Sequence, residues 1–442
     1  MSVFDFDVVV IGAGPAGCAV ARDLAAAGRR VLVVEEHPVV GEPVQCAGLI
    51  SARTLELSGV SPRVVLHRLK GARVHGPGGR TLTLAGSRAY ALAVDRASFD
   101  RELARQALEA GAQIRNSCRA VDFKYIPGGV RVTLAFKKDD ACAGAGSTAA
   151  GFSRTKLQRD AVAPVDTAFC TVTCRLVVGA DGHGSTVARW LGVPAPAEKI
   201  PMYAAEVTLP AGTDSLVDIF IGRSLVPGWF GWLIPLGDGR ARVGVGNGLA
   251  RGKRKMPGKN HPRALFNRLA DAYPRLFHDM RIIRATGGLV PVGLMPRTYG
   301  PHALLVGDAA AQVKPISGGG LYLGLKAARL CARTALDALE TGRYDAAALA
   351  AYQDAWEKTI GPEILCGLRH RETYLHMHNR EMDALLAFFD RPYWRKIILK
   401  YGDLDYHSRL AARLIQAPPW ARRFVTGRLL PLLQMLTAGG EN

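Results

Sequence analysis

The stretch from Asp7 to Glu35 restricts the fold more than any other part of the chain. A continuous apolar run, Val8 to Ile11, leads straight into Gly12-x-Gly14-x-x-Gly17. Such a run reads as a strand buried on both faces, the pattern of a parallel sheet. The spacing predicts a tight turn at Gly12, close backbone approach to an anionic ligand at Gly14, and a helix from about Pro15 to Ala27. Pro15 and Ala16 open that helix, and Gly17 lets it lie close on the sheet. Its free N–H groups and its dipole suit a pyrophosphate. A second apolar strand, Arg30 to Val34, ends at Glu35, whose carboxylate can accept both hydroxyls of an unphosphorylated ribose; Glu36 beside it disfavours a 2′-phosphate. Strand, glycine triplet, helix, strand and acid in this order, within about 30 residues, specify a dinucleotide-binding unit where the triplet alone would not.

The 442-residue chain has room for roughly two or three domains. Its net charge of +19 favours an anionic membrane surface or polyphosphate ligands. Without zinc-finger spacing or an aromatic-basic RNA signature, no nucleic acid and no metal are expected as partners. Eight scattered cysteines with no C-x-x-C pair fit a reducing compartment. The first residues read as the approach to a strand rather than a signal peptide, and no apolar run is long enough to span a bilayer. The expected location is therefore cytoplasmic, with peripheral membrane contact open.

Along the chain, Gly41-Glu-Pro-Val-Gln-Cys46-Ala47-Gly48 is punctuated as loop. Its cysteine reads two ways, as a thiol facing a bound flavin or as a buried inert one. Gly71-Ala-Arg-Val-His and Arg80-Thr-Leu-Thr-Leu predict a hairpin inserted into the nucleotide domain. Asp95-Arg96-x-x-Phe99-Asp100 opens an amphipathic helix to about Gly111, with Arg96 a partner for cofactor phosphate or a surface cation. Strands near 113–115 and 130–136 precede a segment without periodicity, 137–166, read as a surface insertion. An apolar strand then ends in Gly179-Ala-Asp181-Gly182. Alternation returns between 200 and 250 around Pro227-Gly-Trp229-Phe230-Gly-Trp232-Leu-Ile-Pro235, whose aromatics are candidates for a pocket lining. Gly244-Val-Gly246-Asn-Gly248 has the wrong spacing for a second dinucleotide site. Ala303 to Gly307-Asp308 reads as another buried strand, leading through Lys314-Pro315-Ile-Ser-Gly318-Gly319-Gly320 into a long helix, Leu321 to Leu339. From 345 the chain is helical. Between Arg391 and Leu430, cations interleave with Trp394, Ile397, Ile398, Leu399, Trp420 and Phe424, which fits a helix pair at a lipid interface or a solvated cap.

Four stretches together, Gly12 to Gly17 with Glu35, Asp95-Arg96-x-x-Phe99-Asp100, Gly179-Ala-Asp181-Gly182, and Gly307-Asp308 with Pro315, resemble the FAD-dependent oxidoreductases of the para-hydroxybenzoate hydroxylase-like fold. The resemblance implies an α/β protein. A Rossmann-type FAD-binding domain would be assembled from 1–70, 94–195 and 285–345, with an inserted antiparallel β-sheet substrate domain from 71–93 and 196–284. A C-terminal helical region, 346–442, would be basic and a candidate for membrane association. It also implies that Arg96 contacts the FAD phosphate or ribose, that Asp181 lies near the pyrophosphate, that Gly307 and Asp308 hold a ribityl hydroxyl, and that Pro315 to Gly320 lie along the flavin ring.

Within that superfamily the chain most closely resembles the geranylgeranyl reductase family. The loop placing Cys46, Ala47 and Gly48 at the flavin carries the likeness, as does Pro227-x-x-Phe230-x-Trp232-x-Ile234-Pro235, similar to that family's Pro-x-x-Tyr-x-Trp-x-Phe-Pro box. Phe230 replaces the tyrosine, so its hydroxyl is absent here. The family implies FAD as cofactor and reduction of isolated C=C bonds in a polyprenyl lipid or prenyl diphosphate. NAD(P)H and a ferredoxin-like protein both stand as electron donor, and an anionic membrane surface as a further partner. By this resemblance Trp229, Phe230 and Trp232 would wall a dry channel that tolerates cationic character, and Cys46, or a water it orders, would donate the proton. Two other readings share the fold: a flavin monooxygenase or halogenase, whose Trp-x-Trp-x-Ile-Pro box is met here except that Phe230 takes the first position, and an electron-transfer flavoprotein that binds lipids or quinones.

Overall fold

The first apolar run is the strand Phe6–Ile11, and it pairs in parallel on both sides. In the computed structural model, which describes residues 4–138, 167–209, 214–249 and 260–415, it lies within an eight-stranded sheet. The parallel core of that sheet runs Ala303–Leu305, Thr167–Gly179, Phe6–Ile11, Val31–Val34, Gln113–Arg115. Val8 and Val10 point into one apolar core, against the helices Pro15–Ala26, Arg96–Glu109 and Leu321–Thr341, while Val9 and Ile11 point into another. This two-sided burial explains why the strand reads as an unbroken apolar run. Thr167–Gly179 overruns the parallel core and carries an antiparallel pair, Gly129–Lys137 and Cys118–Ile126; the last of these was not legible in the sequence. All but the first two residues of the expected insertion at 137–166 lie outside the described residues, and Lys137 belongs to a strand.

A second sheet has seven strands in the order Arg281–Val292, Glu198–Thr208, Arg240–Gly246, Gly231–Gly237, Leu216–Phe220, Gly71–His75, Thr81–Ala85. The hairpin at 71–85 joins it through a parallel pairing of Gly71–His75 with Leu216–Phe220. One boundary needs correction. The expected division at 284/285 falls inside the strand Arg281–Val292, which pairs along its whole length with Glu198–Thr208, so this sheet continues to Val292.

The alternation of this sheet divides its labour. Ala205, Val207, Val243 and Val245 face the helix Pro262–Ala272 and form a closed core with Leu265, Phe266 and Leu269. Met202, Ala204, Ile219, Trp232 and Ile234 face the other way and leave a cavity. Among the described residues five helices follow the long one: Ala346–Thr359, Gly361–His376, Asn379–Phe389, Pro392–Tyr401 and His407–Ile415. Among the described residues no helix is long and apolar enough to cross a membrane. Trp394, expected at a lipid interface, instead faces inward: it is buried against Phe388 and Phe389. Trp420 and Phe424 lie outside the described residues.

Candidate functional site

The loops that leave the carboxyl ends of the parallel strands converge on a groove of about 360 Å³, where ligands of open α/β sheets bind. Gly12 adopts φ +101°, and any side chain there would strike the Ala180 backbone. Gly17 packs against the carbonyl of Gly12, so its bareness serves the helix–strand contact. Gly14 is different. It sits at an ordinary φ of −68°, and a Cβ built on it would meet no atom of the protein. Nothing in the fold requires glycine there, but a ligand lying over that backbone would. Pro15 and Ala16 complete this rim. At the far end Glu35 accepts from the backbone N–H of Ala13 at 2.9 Å and of His37 at 3.0 Å, with the His37 Nδ1 at 2.7 Å. These contacts hold its carboxylate at the groove. Glu36 is exposed and does not line it.

Gly307 and Asp308 form the opposite wall with Gly320. Asp308 opens onto the groove yet lies at its bottom, where loss of bulk water raises its carboxyl to about 6 against the pull of Arg96. A Cβ on Gly320 would approach the Asp308 carboxylate at 2.9 Å, so the glycine keeps that acid open to a ligand. A bare helix start, an acid for ribose and a second acid for a sugar-like hydroxyl chain fit an FAD.

Of the expected cofactor residues, the Asp181 carboxylate and Pro315 are engaged by the protein away from the groove, while Arg96 lines it. Asp181 turns its carboxylate onto the helix Thr186–Trp190, accepting from Thr186 N at 2.6 Å, Val187 N at 3.3 Å and Ser185 Oγ at 2.7 Å. Its neighbours Ala180, Gly182 and His183 line the groove instead. Arg96 lines the groove and forms a two-pronged ion pair with Asp100 at 2.9 Å. Pro315 packs beneath the helix residue Gly367 rather than on the groove. In the loop 46–48 the residues part company. Gly48 lies on the Arg242 guanidinium, which donates to Ala47 O at 3.1 Å and Val94 O at 2.8 Å; Ala47 faces the apolar cavity; Cys46 lines both spaces.

That cavity, of about 480 Å³, shares a wall with the groove formed by Gln45, Cys46, Met202, Gly288, Val290 and Gly318. Gly319 also lines it. Trp229, Phe230 and Trp232 all face it, but not equally. Trp229 is 1% exposed, with Phe230 stacked at 5.3 Å and the Arg371 guanidinium 4.9 Å from its ring centre, so Phe230 and Trp232 offer the cavity the more open aromatic surface. The misfit glycine run explains their placement. Side chains on Gly244 and Gly246 would collide with the indoles of Trp232 and Trp229, so Gly244-Val-Gly246 is the floor on which the two tryptophans lie.

Sequence reasoning missed the wall supplied by the C-terminal helices. Arg371 binds Glu198 at 3.1 and 2.7 Å and the carbonyls of Gly228 and Gly248. Tyr374 donates to Trp229 O at 2.6 Å. Leu404, His407 and Lys314 close the same space. Lys314 is 5% exposed and donates to Leu404 O at 2.6 Å and Asp405 at 3.3 Å; burial lowers its pKa, opposed by Asp405. The one sequence signal for these residues, a helix with an arginine every few residues, is also the signal of a solvated face.

Comparison with known proteins places the geometry. Residues 7–138 match the family model described as lycopene cyclase protein, and residues 158–359 that of an FAD binding domain. The digeranylgeranylglycerophospholipid reductase 2 of Methanopyrus kandleri is 33% identical, over 88% of this chain and 91% of its own. A geranylgeranyl bacteriochlorophyll reductase-like protein from Thermoplasma acidophilum superposes with a TM-score of 0.76 at 21% identity, over 98% of both chains. The p-nitrophenol 4-monooxygenase of Pseudomonas putida does so at 0.63 and 16%, over 89% of this chain and 96% of its own. The last two likenesses speak to fold alone.

Proposed function

The chain belongs to the geranylgeranyl reductase family of FAD-dependent oxidoreductases, and from that premise we propose that it saturates isolated double bonds in the prenyl chain of a membrane lipid. The observation that carries this reading is the shared wall: an apolar cavity opens beside the cofactor groove, with a thiol at the junction. A buried prenyl chain gains about 0.8 kcal/mol per methylene. The head group stays outside. Of the two cations lining the cavity, Lys314 is engaged by Leu404 O and Asp405, and Arg371 by Glu198 and two carbonyls. Neither is left to compensate a buried diphosphate.

An isolated trisubstituted alkene is not electrophilic, so a proton must reach its less substituted carbon as hydride reaches the other. Reduced FAD, when bound, supplies that hydride. Cys46 delivers the proton: its S–H bond breaks, a C–H bond forms, and the thiolate is reprotonated from solvent. Phe230 and Trp232 hold the cationic character on the tertiary carbon, and the apolar lining keeps water from capturing it.

A monooxygenase or halogenase on this fold requires oxygen. Turnover followed with an oxygen electrode separates the readings: saturated product forms at the same rate under nitrogen, and an FAD-loaded Cys46→Ala protein forms at most about a hundredth as much. Oxygen consumed mole for mole with product would assign the chain to the oxygenases.

A further inference from the structure

The five residues between two C-terminal helices, Gly402 to Tyr406, and His407, which opens the second helix, form a strap tied at almost every position. Asp403 binds both terminal nitrogens of Arg53, at 3.2 and 3.1 Å. Asp405, 1% exposed, accepts from Ser51 Oγ at 2.5 Å and faces Lys314 at 3.3 Å. The Tyr406 hydroxyl lies 3.0 Å from that of Tyr322, and the His407 N–H donates to the buried carboxylate of Glu363 at 2.7 Å. One side chain of the strap, Leu404, packs into the cluster of Leu49, Phe230, Trp232 and Ile234 that walls the cavity. The Leu404 carbonyl is the partner of the Lys314 ammonium.

Buried ion pairs are poor stabilisers compared with apolar packing; their best-attested role is to fix register. A segment that merely covered the cavity would not need Lys314, Asp405 and Glu363 taken out of water to hold it. What this set of contacts fixes is the depth to which Leu404 projects. Depth matters because a side chain projecting into a cavity of about 480 Å³ takes room that a prenyl chain would otherwise fill.

We propose that Leu404 is the gauge of the cavity, the residue that sets how much prenyl chain enters and so which double bond comes to rest beside Cys46. The Lys314–Asp405 pair is the lock that holds the gauge in register. The proposal rests on the prenyl-chain reading above and adds to it the residue that selects chain length.

The test measures equilibrium binding of geraniol, farnesol and geranylgeraniol to oxidised, fully FAD-loaded protein, so that no turnover is needed and cofactor content reports folding. Leu404→Ala raises the preference for geranylgeraniol over geraniol about tenfold, and Leu404→Trp lowers it by about the same factor, the scale at which pockets discriminate small changes in apolar length. Asp405→Asn, which leaves every cavity-lining side chain in place, moves the preference in the direction of Leu404→Ala. Preferences within about twofold of wild type in both Leu404 variants would overturn the gauge while leaving the prenyl reading intact. Wild-type protein that holds FAD but binds none of the three alcohols would overturn that reading, and the gauge with it.

Discussion

Gly14 separates what the ligand requires from what the fold requires. Gly12 and Gly17 are bare because protein atoms press on them, whereas Gly14 has open space above it and an ordinary φ. Gly14→Ala should therefore cost the FAD-free protein no more than about 1 kcal/mol, the usual loss on placing alanine at a helix N-cap. It should weaken FAD binding by about tenfold or more, read by flavin titration beside chemical unfolding. Equal FAD affinity in the two proteins would mean that no ligand approaches that backbone. Residues of this kind are legible in a sequence because spacing alone dictates them. Arg96 and Asp181 show the limit. Their motifs are plain, but whether the carboxylate of Asp181 turns to a ligand or to the N–H groups of Thr186 and Val187 depends on a helix four residues on, and spacing does not encode the choice.

At the scale of elements, period and punctuation were enough for the first strand–helix–strand unit, the 71–85 hairpin and the long helix from Leu321. They were silent where one residue type serves two ends. The spacing of Gly244 and Gly246 ruled out a nucleotide loop but did not show their use, because glycine is needed both where a phosphate approaches and where an indole lies across a strand. The C-terminal helices fitted either a lipid-facing pair or a solvated cap, because amphipathic, basic helices suit both; only the fold shows Trp394 inside and Leu404 on the cavity. His407, where the strap meets the last described helix, makes this wall sensitive to acid. Burial lowers its pKa to about 4; Lys314 and His370 add to the shift and Asp403 opposes it. Between the ordinary imidazole value and about 4 the unfolded chain takes up a proton that the folded chain does not. Stability is thus fully present above about pH 6.5 and falls as pH drops through that window, by on the order of 2 kcal/mol. Denaturant unfolding across this range should show a shallower pH slope for His407→Gln than for wild type. Identical slopes would mean that His407 titrates normally.

For the whole molecule, the arrangement of two sheets decides the chemistry. The parallel sheet ends in a polar groove with acids at both limits, the antiparallel sheet turns one face into an apolar cavity, and the two meet along a wall containing Cys46. On the proposed reading neither sheet alone would suffice: the first would hold a cofactor with nothing to reduce, the second a lipid chain with no source of hydride. The discontinuity of the chain was foreseeable from scattered motifs. The junction was not, because it brings residues 45, 46, 202, 288, 290 and 318 together from four loops and strands. The most direct measurement is an anaerobic single turnover, in which FAD-loaded protein is reduced with dithionite, freed of excess reductant and mixed with a geranylgeranyl phospholipid. The account predicts return of the oxidised flavin spectrum together with a lipid heavier by two hydrogens for each flavin reoxidised. A flavin that stays reduced with the lipid unchanged, or a protein that cannot be loaded with FAD, would contradict it.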